Sequence, residues 1–241
     1  MSFFDKFPAM ERTDLRDLKK GIDSSFKEFS RSWGEGIEAF FDPLFYFLVN
    51  FEKLLLATPW PIIIAIVAAL SYLGSRSWKL SAGAAVSFLV IGYLGMWNNT
   101  MSTVALISVA TFICIALGIP IGIAMSKSDR LQAIITPILD IMQTIPIFVY
   151  LLPVVMLLGI GKVPGLIAVC VYAMPPIVRL TNLGLRLVDK EILEAADAFG
   201  SNYRQRLFRV QLPLALPNIF AGVNQTIMMA LAMVVIASMI G

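Results

Sequence analysis

Long apolar stretches separated by short polar loops dominate the chain from residue 59 onward. A helix needs about 20 residues to cross the hydrocarbon core of a bilayer, and most of these stretches approach that length. We therefore predict an all-α integral membrane protein. Its six spans cover residues 59–74, 80–97, 98–125, 131–161, 163–182 and 214 to the end. Because Gly241 directly follows an apolar run, we expect the natural protein to continue beyond it.

A different pattern marks residues 24–44, where apolar side chains recur at spacings of three and four: Phe26, Phe29, Trp33, Ile37, Phe40 and Leu44. This period places them on one face of a helix, with charged residues between them. Such an amphipathic helix either lies in the membrane interface or packs on another protein domain. We expect the interfacial position, because the chain enters the bilayer soon afterwards. We also expect residues 1–23 to be flexible and Pro43 to end or kink the helix.

Composition agrees with a membrane protein and narrows the chemistry. Hydrophobic residues make up 58% of the chain and charged residues 15%, against about 25% charged in a soluble domain. The chain has no histidine, which excludes a His-based metal site or catalytic triad. We predict no catalytic residue and no metal site. Cys114 and Cys170 lie in apolar segments, which favours packing over a disulfide.

Basic residues predict the orientation. If 183–209 is cytoplasmic, the loops at 75–79 and 126–130 lie on the same side. Together these segments hold ten of the 19 Lys and Arg, counting Arg179 at the edge of a span. The short outside loops hold Lys162 alone, in agreement with the positive-inside rule. The N-terminus is then outside despite its basic residues, most of which lie too far from a span to count strongly. Basic residues placed between spans do not indicate a nucleic-acid partner.

The segment 194–213 carries seven positions at fixed spacing: Glu194, Ala195, Ala196, Gly200, Val210, Leu212 and Pro213. Apolar residues before Gly200 predict a short helix that this glycine ends in a left-handed conformation, and a second helix follows. An exposed helix–glycine–helix element can dock in a groove of a partner. The spacing resembles the coupling loop of ABC-importer permeases. That pattern is E-A-A, three residues, G, nine residues, I, one residue, L-P, and Val210 in place of Ile is the only departure.

Three further segments, 137–153, 173–179 and 199–217, resemble permeases that import glycine betaine, proline betaine, choline or carnitine. The resemblance implies a type I ABC-importer core over 98–241. Two extra transmembrane helices over 58–97 and an extracytoplasmic tail with the interfacial helix over 1–57 would precede it. It also implies a multi-pass protein of the bacterial cytoplasmic (inner) membrane.

The implied partners are a second permease copy, two ATPase subunits docked on 190–209, and a substrate-binding protein or fused binding domain. ATP and Mg would bind to the ATPase, so we expect no cofactor in this chain.

Polar and proline residues within the spans are candidates for a pathway: Asp140, Gln143, Thr144, Pro146, Tyr150, Pro175 and Pro176. An acid within an apolar stretch is a functional candidate by default. We nevertheless favour an interfacial Asp140 paired with Lys127 or Arg130, because it lies early in its span. The prolines either free carbonyls that face the pathway or the partner copy, or simply bend helices for packing.

An ABC permease for a quaternary amine osmoprotectant is therefore the leading hypothesis. The alternatives are an ABC permease for another small solute, an ATP-independent secondary transporter and a membrane enzyme. The long apolar stretch has a single acid, too few for a good ion-coupling site, and this argues against a secondary transporter. Gly159-Ile160-Gly161-Lys162 lacks the spacing of a P-loop, so an ATP-driven function needs a separate ATPase.

Overall fold

The computed structural model describes residues 12–238, without the side chains of Trp33, Glu35 and Glu38. Its regular elements are all helical, which confirms the all-α prediction. The helices are α1 (Arg12–Ala57), α2 (Trp60–Ser75), α3 (Trp78–Tyr93), α4 (Trp97–Lys127), α5 (Asp129–Thr144), α6 (Ile147–Leu158), α7 (Lys162–Arg186), α8 (Lys190–Ala198), α9 (Tyr203–Arg206) and α10 (Leu212–Ala237). A π-helical turn, Leu207–Gln211, joins α9 to α10.

The predicted number of six spans is too high for the described residues. Three helices are long and apolar enough to cross a membrane: α4, α7 and the continuous stretch Tyr203–Ala237. The number reaches at most five if each of two bent pairs counts as one span. These pairs are Ala39–Ala57 with α2, bent by 105°, and α5 with α6, bent by 88°. The α3 helix has only 16 residues, fewer than the roughly 20 that a span needs.

The expectation of a flexible N-terminal segment is wrong for residues 12–23, which belong to α1, and residues 1–11 lie outside the described part of the chain. Residues 12–23 are rich in Leu, Lys and Arg, which favour helix. Pro43 lies inside α1 and does not end it; a kink at Pro43 stays a prediction. Contacts divide the chain into units of residues 1–43 and 44–241. Of the four aromatic residues of the predicted face, Phe29 and Phe40 are exposed and Phe26 is half-buried. The side chain of Trp33 lies outside the described part of the structure.

The core of the second unit consists of α4, α7 and α10. Its closest approach to a neighbouring backbone atom lies at Gly122 of α4, where an added Cβ would lie 2.6 Å from Thr181 Cβ and 2.8 Å from the Val178 carbonyl oxygen of α7. A Cβ on Gly184 of α7 would lie 2.8 Å from Asn218 Cβ of α10. Small residues at such positions let helix backbones approach closely in a membrane, where contact rather than hydrophobicity drives association.

Polar contacts define two opposite ends of this core. At one end Glu52 accepts hydrogen bonds from Ser102, near the start of α4, and Lys162, at the start of α7. At the other end Arg186 donates to the Met125 carbonyl oxygen, so the ends of α7 and α4 also lie together. Hence α4 and α7 run in the same direction. Because α5 begins at one end of the core and α6 leads to the other, α5 and α6 form a broken span rather than a re-entrant loop.

Candidate functional site

The segment 189–213, which we call the coupling loop, folds as the predicted helix–glycine–helix element. The Asp189 carboxylate accepts a hydrogen bond from the Glu191 backbone N–H at the start of α8. Gly200 then turns the chain with a φ of +77°, a conformation that side chains other than glycine rarely adopt. Asn202 and Gln205 form a reciprocal capping box that starts α9. The left-handed conformation predicted for Gly200 is confirmed.

Two contacts make the coupling loop a connected unit and attach it to the core. Arg206 of α9 forms an ion pair of 2.5 Å with Asp197 of α8. The ammonium of Lys127, at the end of α4, lies 4.5 Å from the centroid of the Tyr203 ring, within the range of a cation–π interaction. These contacts connect α8 through α9 to the end of α4 and, across the π-helical turn, to α10.

The seven motif positions differ in exposure. Four of them are exposed, and Ala196, Val210 and Leu212 are half-buried; the exposed ones are Glu194, Ala195, Gly200 and Pro213. Beside them Phe199 is 92% exposed and Phe208 64% exposed. Large apolar side chains exposed on a polar loop are typical of an interaction surface.

The pathway candidates separate into two groups. Asp140 is exposed and pairs with Arg179 of α7, not with Lys127 or Arg130 as expected. The exposed Thr144 and Pro146 follow it, and Gln143 contacts Met229 of α10 with its Nε2 3.6 Å from the sulfur. These residues lie at the surface of α5 or at its break, where they are accessible to a pathway.

The other candidates lie inside the single chain. Pro175 and Pro176 are buried among the core helices, which favours a packing role for their side chains. That their freed carbonyls face a pathway or a partner copy stays a prediction. Tyr150 is half-buried against the core. Its hydroxyl is shielded from solvent and has no hydrogen-bond partner within the described part of the chain.

Sequence reasoning missed the polar cluster of Glu52, Ser102 and Lys162. Glu52 is 7% exposed, and Ser102 Oγ lies 2.6 Å from its carboxylate. The cluster borders a cavity of about 160 Å³ that also touches Val234 and Ser238 near the end of α10. An acidic residue within the apolar second half of α1 was the available signal.

Comparison with known proteins identifies the family. Residues 114–241 match the family described as binding-protein-dependent transport system inner membrane component. The chain is similar to the glycine betaine/proline betaine transport system permease protein ProW of Escherichia coli (strain K12), with 49% identity over 82% of this chain and 56% of the relative. It is also similar to the glycine betaine transport system permease protein OpuAB of Bacillus subtilis (strain 168), with 42% identity over 98% of this chain and 82% of that protein.

A third relative is the glycine betaine/carnitine transport permease protein GbuB of Listeria monocytogenes serotype 1/2a (strain 10403S). It is 47% identical over 77% of this chain and 67% of its own length. The chain spans about half the length of the Escherichia coli relative, 56%, and thus corresponds to only part of that protein.

Proposed function

Because the chain belongs to the family of binding-protein-dependent transport system inner membrane components, we propose that it is the permease subunit of an ATP-driven ABC importer for glycine betaine or a related quaternary amine. Relatives named for glycine betaine, proline betaine and carnitine transport support this substrate class. A permease subunit moves solute and is not itself an enzyme. In this proposal, ATP and Mg bind to a separate ATPase chain.

The coupling loop is the observation that carries the proposal. The coupling loop has a left-handed glycine, an ion pair between α8 and α9, and two exposed aromatic residues, Phe199 and Phe208. Together they form an exposed, connected surface. Such a surface suits docking into a groove of a partner. We propose that two ATPase subunits dock here, one on each of two permease copies. A binding protein or fused binding domain delivers substrate to the opposite end.

The charge distribution supports a cytoplasmic position for the coupling loop in a bacterial inner membrane. The opposite end of the core, at Lys162, is then extracytoplasmic. Glu52 of α1 lies at that same end because it pairs with Lys162. We propose an extracytoplasmic N-terminus from the charge of the loops alone.

The deciding experiment is uptake of radiolabelled glycine betaine into proteoliposomes that carry the complete permease with its ATPase and binding protein. We expect uptake only when ATP is inside, with competition by other quaternary amines. ATP-dependent uptake of a different solute would keep the ABC assignment and change the substrate. Uptake that is indifferent to internal ATP would instead favour a secondary transporter and contradict the proposal.

The variant Gly200→Asp tests the coupling loop within this assay. A carboxylate on this docking surface should reduce ATP-driven uptake by at least about tenfold, equivalent to roughly 1.4 kcal/mol, while membrane insertion is retained. Gly95→Asp is the matched control, because Gly95 has a similar φ of +76° and equally open surroundings but lies between α3 and α4. Equal losses in both variants would indicate backbone strain rather than a lost docking surface.

A further inference from the structure

The α5 helix carries a polar stripe that the coupling loop does not explain. Gln132, Thr136, Asp140 and Thr144 recur at spacings of four, which places them on one face of the helix. The stripe extends from the start of α5 to the break before Pro146. Beyond the break, α6 has no charged side chain. A polar surface therefore runs along half of this broken span.

Asp140 and Arg179 form an ion pair within this stripe, between α5 and α7. Both side chains stay partly accessible, Arg179 at 41% and Asp140 at 54%. The Arg179 Nε is shielded from solvent and lacks a hydrogen-bond partner in the described range 12–238. Charged residues within membrane spans face a water-filled cavity or a protein partner, because hydrocarbon cannot satisfy their open donors and acceptors. The pair therefore faces a cavity or a second permease copy rather than lipid.

The pair also lies well inside the two helices. Asp129 and Arg186 form a separate ion pair of 2.7 Å that fastens α5 to α7 near the coupling loop. Asp140 is eleven residues beyond Asp129, roughly 16 Å along the helix at 1.5 Å per residue. A second charged pair at this depth carries a desolvation cost and is not required to attach helices that are already joined at one end.

We propose that Asp140 and Arg179 form a subsite for zwitterionic substrates that carry both a quaternary ammonium and a carboxylate. This inference rests on the proposed importer function. The guanidinium has five N–H donors in a planar fork, and those not directed at Asp140 can bind a substrate carboxylate. The exposed Asp140 carboxylate then faces the quaternary ammonium. In glycine betaine a single methylene group separates the two charged groups, so both can contact one ion pair.

The pair therefore recognises a substrate that offers two opposite charges: a carboxylate for Arg179 and a quaternary ammonium for Asp140. A cation such as choline, which has no carboxylate, would contact Asp140 alone. The subsite thus favours betaines over simple quaternary ammonium cations. It places substrate at the height of the α5 stripe, on the route toward the coupling-loop end of the core.

The test uses ATP-driven uptake of glycine betaine by the complete reconstituted transporter with saturating binding protein. We expect Arg179→Gln to lower uptake at least about tenfold, the effect of losing one hydrogen bond to a charged group. Where the wild type also transports choline, choline uptake should fall less. Asp129→Asn is the matched control because it breaks only the other ion pair, and exposed pairs contribute little, so uptake should stay within about twofold.

The charge-swapped double variant, Asp140→Arg with Arg179→Asp, separates recognition from helix attachment. It restores an ion pair with reversed polarity, so we expect uptake to stay at least about tenfold below wild type. Recovery to wild-type uptake would overturn the subsite and leave a purely structural pair. Wild-type uptake by Arg179→Gln would overturn it as well.

If the swapped variant does not accumulate in the membrane, Arg179→Lys decides the question. Lysine keeps the ion pair but lacks the planar fork, so we expect a raised KM for glycine betaine. An unchanged KM would overturn the subsite. Absence of ATP-driven uptake by the wild type itself would be a different failure, because it would overturn the proposed function and the subsite with it.

Discussion

The core helices α4, α7 and α10 and the hairpin of α2 and α3 are all apolar, but they pack in different ways. In the core, a Cβ added to Gly118, Gly122 or Gly184 would lie 2.5, 2.6 or 2.8 Å from a side-chain atom of a neighbouring helix. In the hairpin, a Cβ added to Gly74 or Gly83 would meet nothing within 4 Å. Apolarity alone therefore does not determine which helices join the core.

The difference follows from the membrane as a solvent. Lipid tails are as apolar as leucine, so helices associate through close packing and polar contacts rather than through hydrophobicity. The α3 helix has no buried residue and α2 buries only Ile63. The family match covers 114–241, which begins inside α4 and leaves the hairpin out. We interpret the glycine-packed helices as the shared transport core and the hairpin as a peripheral addition.

Gly122→Leu should produce the largest effect, because Gly122 makes the closest approach to a neighbouring backbone atom within the core. The leucine would overlap Thr181 and the backbone carbonyl of Val178, and the latter cannot rotate away. Overpacking of this kind costs about 1–3 kcal/mol or more. We expect the apparent unfolding midpoint of the detergent-solubilised protein to fall by roughly 5 °C or more.

Gly83→Leu in α3 is the control for this substitution. The change of residue is the same and the site is also within a helix, but the surroundings are open. We expect the free energy of unfolding to change by no more than about 0.5 kcal/mol, so the unfolding midpoint should stay nearly the same. Equal losses at both glycines would contradict the view that close packing distinguishes the core from the hairpin.

Glu52→Gln should have an intermediate effect, because it weakens the polar contacts of α1 with the core but leaves the buried Leu48 in place. The substitution keeps the size of the side chain but removes the charge that Lys162 and Ser102 face. Loss of a hydrogen-bonded buried charge costs about 1–3 kcal/mol. The unfolding midpoint measures this loss, and a double-mutant cycle with Lys162→Met isolates the ion pair. A coupling energy near zero would show that the two residues are merely neighbours.

The helix–glycine–helix form of the coupling loop could be predicted because its determinants are close in sequence. The motif spacing and the left-handed Gly200 act within a few residues, whereas the capping box of Asn202 and Gln205 emerged only from the structure. The number of spans could not be predicted equally well. Hydropathy does not determine where an apolar stretch stops being helical, and α5 and α6 are separated by an 88° bend at Pro146.

The sequence alone could not predict which ion pairs form between helices that are far apart in the chain. Lys127 and Arg130 are near Asp140 in the chain and were therefore the expected partners. The actual partner, Arg179, is 39 residues away, and Lys162 is 110 residues from Glu52. Only the packing of α5 and of the end of α1 against α7 brings such residues together.

Ser81→Ala should have the smallest effect and tests what holds the hairpin together. Ser81 Oγ of α3 donates to the Ala68 carbonyl oxygen of α2 at 2.6 Å. Hydrogen bonds between membrane helices contribute about 0.6 kcal/mol on average, so the midpoint should fall by roughly 2 °C. Ser87→Ala is the matched control, because Ser87 bonds to the Gly83 carbonyl of its own helix at 2.9 Å and should leave the midpoint unchanged. A fall of more than about 5 °C for Ser81→Ala would contradict this expectation. One polar contact would then stabilise the hairpin as strongly as close packing stabilises the core.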